Sequence, residues 1–329
     1  MKTRLIQQAA LYATTVCAAT VSAGAGAADT QTYPTRPVRL IVPFTPGSTT
    51  DIIARAVADR LSANLGQNVI VDNRAGAGGT IGAAVVAKAE PDGHTLLVHS
   101  SSHTVNPAMF ATLPYDTLRD FTGITPLASL PNALVIAPSK GIRSVKELIA
   151  AAKAKPGSIT FASAGTGSAT HLNAEKFRVR AGFEGTHVPF KGSPDALLDV
   201  MTGRVDFYFC PVAPALPFIK EGKLIALAVG SPKRSSVLPD VPTTAEAGVA
   251  DSEYNFWIGM LAPGKTPRAI VNRLYQETEK ALASAEVRKR FADLGADPML
   301  MTPQAFDAYI KAELTANIAL AKAAGLKAQ

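Results

Sequence analysis

From Val38 to Val229 the chain keeps switching between two apolar rhythms, and that alternation narrows the folds open to it. Short runs rich in Val, Ile, Leu and Phe read as buried strands, and the segments between them carry apolar residues at helical spacing. Strands are expected at Val38–Val42, Asn68–Val71, His94–His99, Phe121–Leu127, Ala133–Ala137, Ser158–Ser163, Thr186–Phe190, Val205–Cys210, Leu224–Val229 and Trp257–Ala262. Helices are expected at Ile52–Leu65, Ile81–Ala89, Ser144–Ala154, Ser168–Arg180 and Pro194–Thr202, with three more at Pro267–Ser284, Ala285–Leu294 and Pro303–Ala323. Thr266-Pro267 and Thr302-Pro303 each supply a cap followed by proline at the first helical position. Continuous apolar strands separated by helices predict an α/β fold of mainly parallel sheets flanked by helices.

A chain of 329 residues is long for one such sheet. Composition shifts at Leu127–Pro131 and again at Ser231–Thr243, where Pro232, Pro239 and Pro242 cluster. The expected organisation is a discontinuous first domain, 28–130 with 232–329, and a second domain, 131–231, inserted into it. Residues 1–27 are set apart. Lys2 and Arg4 precede a mainly apolar stretch, Ala9–Val21, and Ala25-Gly26-Ala27 forms a small-residue cleavage site. This is the pattern of a secretory signal cut near Ala27. The apolar part is short and diluted by Thr and Ser, which argues against a membrane anchor. Thr14-Thr15-Val16 before Cys17 makes a poor lipoprotein signal.

Apolar residues are 47% of the chain and charged residues 18%, a globular balance. The net charge of +7 includes the two leader cations, leaving +5. Lys153, Lys155, Lys233-Arg234 and Arg288-Lys289-Arg290 are scattered, so no nucleic-acid partner is expected. Cys210 alone would survive cleavage, in an apolar run, and reads as a packing residue.

Two strand-to-helix turns carry the chemistry. The first is Pro43-Phe44-Thr45-Pro46-Gly47-Ser48-Thr49-Thr50-Asp51, and the second runs from Ala162 to His171 through Ser163, Ala164, Gly165, Thr166, Gly167, Ser168 and Thr170. Each places Gly and hydroxyl side chains beside the unpaired N–H groups of a helix start, which makes an anion site of neutral donors. Each also lies at the C-terminal end of a strand, where open α/β sheets bind ligands. Phe44 is placed to cover a ligand. Asp51 would repel an anion and is expected to brace its loop. Lys191-Gly192 in a third turn, Ser101 and Ser102 after the strand ending at His99, and Asp206 are further candidate contacts.

Other constellations are weaker. Gly76-Ala77-Gly78-Gly79-Thr80-Ile81-Gly82 has the wrong glycine spacing for a dinucleotide fingerprint and is expected to pack on the first turn or touch the ligand. His99 and His103 straddle a strand end, not a helix face, so a metal pair is not expected. Ser168 with His171, and Glu175 four residues on, raises a secreted hydrolase as an alternative, although neighbours on one helix face seldom make a triad.

Taken in order, these segments resemble the tripartite tricarboxylate transporter receptors, the Bug-type periplasmic binding proteins. Pro43 to Asp51 is similar to the family's P-F-x-P-G-G-x-x-D signature. Asn73-Arg74, Gly76–Gly79, Pro91-Asp92-Gly93, Ser163–Ser168 with His171-Leu172, and Val188–Gly192 fit as well. So do Gly203-Arg204-Val205-Asp206, Leu238–Thr243, Ala262-Pro263 and Thr266-Pro267. The resemblance spans the chain after the leader. It implies a two-domain, type II periplasmic-binding-protein (Venus-flytrap) fold without enzymatic activity or cofactor. A small organic carboxylate would sit between the domains, on Phe44, Pro46, Gly47, Ser48, Thr49, Thr50, Ser101, Ser102, Ala164, Gly165, Thr166, Gly167, Ser168, His171, Lys191, Gly192 and Asp206. The implied partners are the permease subunits of a tripartite transporter, the implied state a monomer, and the implied location the periplasm. A sensor role for a membrane kinase stays open beside transport. Ser48 stands where the signature has its second Gly, so the ligand cannot be carried over from any relative.

Overall fold

The computed structural model describes residues 33–323, 325, 326 and 328, so the leader and its expected cleavage point lie outside the described residues. β1 (Val38–Val42) leads into α1 (Thr49–Leu65), β2 (Val69–Asn73), α2 (Thr80–Ala87), β3 (Thr95–Ser100), α3 (Ser102–Met109) and β4 (Phe121–Leu130). A second sheet follows, made by β5 (Asn132–Ile136), α4 (Val145–Ala154), β6 (Ile159–Ser163), α5 (Ala169–Ala181), β7 (Gly185–Pro189), α6 (Ser193–Met201), β8 (Phe207–Pro211), α7 (Val212–Lys220) and β9 (Ile225–Val229). The chain then returns through β10 (Phe256–Pro263), α8 (Arg268–Ala283), α9 (Ala285–Asp293), the short β11 (Asp297–Pro298) and α10 (Pro303–Ala323). Strand order is β11-β4-β10-β3-β1-β2 in the first sheet and β7-β6-β8-β5-β9 in the second. The halves built on these sheets are called lobe 1 and lobe 2 below.

Both sheets are mixed. β2, β1 and β3 are parallel, as are β7, β6 and β8. β10 runs antiparallel to β3 and β4, and β5 antiparallel to β8 and β9. Of the reversed strands, β5 and β10 each follow a crossing, and only the two-residue β11, antiparallel to β4, does not. A chain arriving from the other lobe enters at the end facing that lobe, so it runs against strands that finish there.

Alternation along β1 shows how each sheet is covered. Leu40 and Val42 join a core with Ile53, Val57 and Leu61 of α1 on one face. Ile41 points the other way, into a cluster with Ala83 and Val86 of α2, Leu97 and Trp257. Each of these large side chains is essentially fully buried, worth about 1.5–3 kcal/mol apiece before chain entropy is charged against it.

The expected strands and helices appear with end shifts of a few residues. Pro267 is one exception: with φ −54° and ψ 135° it is the cap itself, and α8 begins at Arg268. Two helices, α3 and α7, were not expected from the sequence. α3 holds Pro107 after a polar run and α7 holds Pro217, and an interior proline argues against a helix when only the sequence is read.

Candidate functional site

Five helices begin at one place between the lobes. α1 and α3 start there from lobe 1, at the C-terminal ends of β1 and β3; α5, α6 and α7 start there from lobe 2, after β6, β7 and β8. Their first residues enclose a small cavity of about 20 Å³ lined by Phe44, Ser48, Thr49, Thr50, Ser100, Ser102, Ala164, Ser168, Thr170, Ser193, Pro211 and Phe256. None of these described lining residues is charged. Eight carry a hydroxyl, and the remainder give the cavity apolar walls. Aligned peptide dipoles and orphan amides at several helix starts make a positive potential without a cation.

The hydroxyls divide by what already occupies them. Ser48 Oγ caps α1 by accepting from Asp51 N (3.4 Å), and Ser168 Oγ caps α5 by accepting from His171 N (3.2 Å). Thr170 Oγ1 accepts from Ala164 N (3.0 Å), and Ser193 shares a hydrogen bond with Tyr208 (3.2 Å). Ser102 Oγ accepts from Ser100 Oγ (2.8 Å) and from Ala169 N (2.8 Å). Both its lone pairs are thereby engaged and its own O–H hydrogen is left to donate. Thr49 Oγ1 is buried and has no partner in the protein. A buried hydroxyl without a partner is destabilising, and a ligand acceptor would relieve it.

Asp51 braces the first turn. Its carboxylate accepts from Gly47 N (2.9 Å), Arg55 Nε (3.0 Å) and Asn73 Nδ2 (3.0 Å). Burial alone would raise its pKa, but the hydrogen bonds from Arg55, Gly47 and Asn73 outweigh burial and hold it below the ordinary carboxylate value. The bond to Gly47 fixes that glycine at φ +78°, a left-handed conformation that suits no larger residue well.

Of the residues expected to touch ligand, Phe44, Ser48, Thr49, Thr50, Ser102, Ala164 and Ser168 come together around the cavity. The others fall beside it or away from it. Pro46 and Gly47 are on the exposed outer side of the first turn, and Lys191 is exposed. Gly165, Thr166 and Gly167 face lobe 1 instead of the cavity. Gly192 packs on Thr45, where an added Cβ would lie 2.1 Å from Thr45 Oγ1. Ser101 is buried behind the strand end.

Asp206 is placed elsewhere altogether. It accepts from Thr160 N (2.7 Å) and the Thr160 hydroxyl (2.9 Å) and pairs with Lys140 (2.6 Å). It precedes β8, whereas the cavity lies at the far end of that strand, at Pro211. Strand direction was the signal that could have excluded it. The same reasoning would have added Ser193 and Pro211, which follow β7 and end β8. Phe256 was unreadable without knowing that β10 is antiparallel.

His171 also serves structure. Its ring stacks on His187 at 3.7 Å, its Nδ1 faces Gly167 N (3.4 Å), and its Nε2 lies 3.8 Å from Glu175. Burial, helped by the charges of His187 and Arg178, holds its pKa down to about 3. Ser168 Oγ is bonded to the main chain of His171 and to Thr170 Oγ1 (3.0 Å), not to the imidazole. A Ser–His nucleophile needs that ring contact, so the geometry does not make one. The glycine loop at 76–82 is likewise filled by protein. Gly79 abuts His99 and Phe44, Gly82 abuts Pro43, and Gly78 lies against the Thr166–Ser168 backbone. No pyrophosphate can approach it in this state. His99 and His103, with ring centroids 5.5 Å apart, belong to an aromatic cluster with Phe44, Tyr115 and Phe121. Cys210 is buried, burial pushes its thiol pKa up, and its Sγ contacts Pro211 O.

Known proteins share this architecture. The model of the tripartite tricarboxylate transporter family receptor matches residues 53–326. Protein BugT of Bordetella pertussis is 38% identical over 328 residues, covering 99% of this chain and 98% of its own. Among solved structures, a protein from R. palustris with adipate superposes with a TM-score of 0.87 at 36% identity, covering 90% of this chain and 100% of that one. MatC from Rhodopseudomonas palustris with bound malate gives 0.83 at 32% identity, over 88% and 99% of the two chains.

Proposed function

The chain belongs to the tripartite tricarboxylate transporter receptor family, and from that premise we propose that it is an extracytoplasmic receptor that captures a small organic carboxylate between its lobes. One observation carries the reading: five helix starts and eight hydroxyls surround a cavity whose described lining holds no charged side chain. Neutral donors can hold a carboxylate firmly while leaving no buried cation to be stranded on release. That suits a carrier that must give its cargo up. Adipate and malate, found with two relatives, are the natural first candidates. Phe44, Phe256 and Pro211 would contact the carbon skeleton, and the hydroxyls and helix amides its carboxylate oxygens.

In this reading the segments 28–130 with 232–329, and 131–231, are two domains that hinge where the chain crosses between sheets. The liganded form passes its cargo to membrane permease subunits, acting as a monomer in the periplasm once the leader is removed near Ala27. Family members and similar solved structures are solute-binding proteins. A thermal-shift screen of the mature protein against mono-, di- and tricarboxylates, acidic amino acids and aromatic acids tests the proposal. A specific ligand at 100 times its Kd should add about 2.7 kcal/mol by mass action. Stabilisation by NADP and by no acid would overturn it.

A further inference from the structure

The two lobes are tied to each other by contacts that use no ligand. Asn106 of α3, in lobe 1, is fully buried beside the cavity but is not among its lining residues. Its Nδ2 donates to Gly78 O of its own lobe (3.2 Å) and to Gly167 O of lobe 2 (3.0 Å). Its Oδ1 accepts from Tyr115 OH (3.1 Å). The carboxamide can point only this way, because a flipped oxygen would face two carbonyls. A second tie lies one helical turn earlier. Ser102 Oγ of lobe 1 accepts from Ala169 N, the first amide of α5 in lobe 2 (2.8 Å).

The backbones meet at the same place. A Cβ added to Gly78 would lie 2.2 Å from Thr166 O, 3.1 Å from Gly167 C and 3.2 Å from Ser168 N, all of them in lobe 2. From the other side, a Cβ on Gly165 would meet Gly78 N at 3.1 Å. Gly78 therefore has no side chain where the opposite lobe must arrive.

We propose that Asn106 is a positioning residue that latches the Gly165–Ser168 loop onto lobe 1, so that the receptor closes without cargo and cargo leaves only as fast as the latch opens. An equilibrium already biased toward closure raises affinity, because less binding energy is spent on closing the lobes. Bound cargo is then retained by a slow opening step as well as by its own contacts.

Two variants separate the latch from general stability. Asn106→Leu keeps the volume and removes the crossing hydrogen bond together with the two inside lobe 1, to Gly78 O and from Tyr115 OH. Gly78→Ala leaves lobe 1 intact apart from its φ of +60° and collides only across the closed interface. Small-angle scattering of the ligand-free proteins should show a larger radius of gyration for both variants than for wild type. Stopped-flow release of a bound acid should show the dissociation rate of Asn106→Leu raised about five- to tenfold, the equivalent of one hydrogen bond, with the association rate unchanged or faster. The release arm rests on the carboxylate reading; the scattering arm does not, so failure of that reading leaves the latch decided by scattering. Ligand-free scattering identical across the three proteins would overturn the latch. So would a lowered melting temperature in Asn106→Leu with wild-type scattering and release, which would make Asn106 an ordinary buried amide.

Discussion

Replacing Thr49 by Val should move stability and affinity in opposite directions. Thr49 is the first residue of α1, is 2% exposed, and lines the cavity with an Oγ1 that has no protein partner. Burying such a hydroxyl costs about 1–3 kcal/mol. Valine has the same shape with a methyl in its place, and the two residues have nearly equal helix propensity. The ligand-free variant should gain about 1 kcal/mol, a rise in Tm of roughly 1–2 °C for a chain this size. The liganded protein loses a hydrogen bond to a charged acceptor, about 1.5–3 kcal/mol, so Kd should rise about 10- to 150-fold. Differential scanning fluorimetry of the ligand-free protein and isothermal titration with the acid that wild type binds best would measure both. A variant that melts lower and binds equally well would make Thr49 an ordinary helix residue and sink the argument.

Four other outcomes follow from the same structure. Asp51→Asn should destabilise by about 1–3 kcal/mol and weaken binding, because the carboxamide removes the charge facing Arg55 and has one acceptor oxygen for the donors that two now serve, Gly47 N on one and Arg55 with Asn73 on the other. Wild-type Asp51 has a depressed pKa, so its contribution is full above about pH 4 and is lost as pH falls below that; urea melts of both proteins at pH 7 and pH 3 should converge. Burial holds His103 and His187 down to about 4 and His171 to about 3, and these rings stay neutral when folded. Unfolded histidines gain protons near pH 6.5, so stability should fall as pH drops from about 6.5 to 5, by up to about 1.4 kcal/mol per pH unit per histidine, and the urea midpoint should fall with it. A midpoint that rises over that range contradicts the sign. Because no lining side chain titrates near neutrality, Kd should stay level from pH 6.5 to 8.5 for an acid that is fully ionised there. Ser48→Gly should change stability by only a few tenths of a kcal/mol, since glycine also caps helices. It should nevertheless alter the ranking of acids in a titration panel; an unchanged ranking would remove Ser48 as a selectivity position.

Much of this arrangement was legible because it obeys local rules. The turns at Pro43–Asp51 and Ala162–His171 announce themselves by glycine and hydroxyls between an apolar run and a helical period, and Ser48, Thr49, Thr50, Ala164 and Ser168 all reach the cavity. Phe44 lines the cavity, whereas Phe207, Tyr208 and Trp257 are core. What stayed hidden depended on tertiary packing. α3 is a helix because it lies on α10, where Asn317 Nδ2 donates to Thr104 Oγ1 (2.9 Å), not because Ser-His-Thr-Val-Asn-Pro favours one. The glycine loop showed its freedom in the sequence but not its neighbour, since Thr166 arrives from another lobe. His171 and Lys191 looked like ligand groups by type alone, and burial against His187 in one case and exposure in the other set them aside.

The position of β10 bears on how the molecule assembles. It is an interior strand of the first sheet, seated between β3 and β4 and joined to Ser100 and Leu130 through Ile258 and Phe256. Yet it follows all of lobe 2 in the chain. Until Phe256–Pro263 has been made, β3 and β4 have no strand between them, and their facing edges stay unpaired. Lobe 2 has its five strands in one uninterrupted stretch and can collapse first. Lobe 1 must wait for contacts of long sequence separation, which fold slowly and leave apolar edges open to other chains. A chaperone that recognises unpaired strand edges would therefore be expected to engage nascent chains ending before Phe256 and to release those that extend past Pro263.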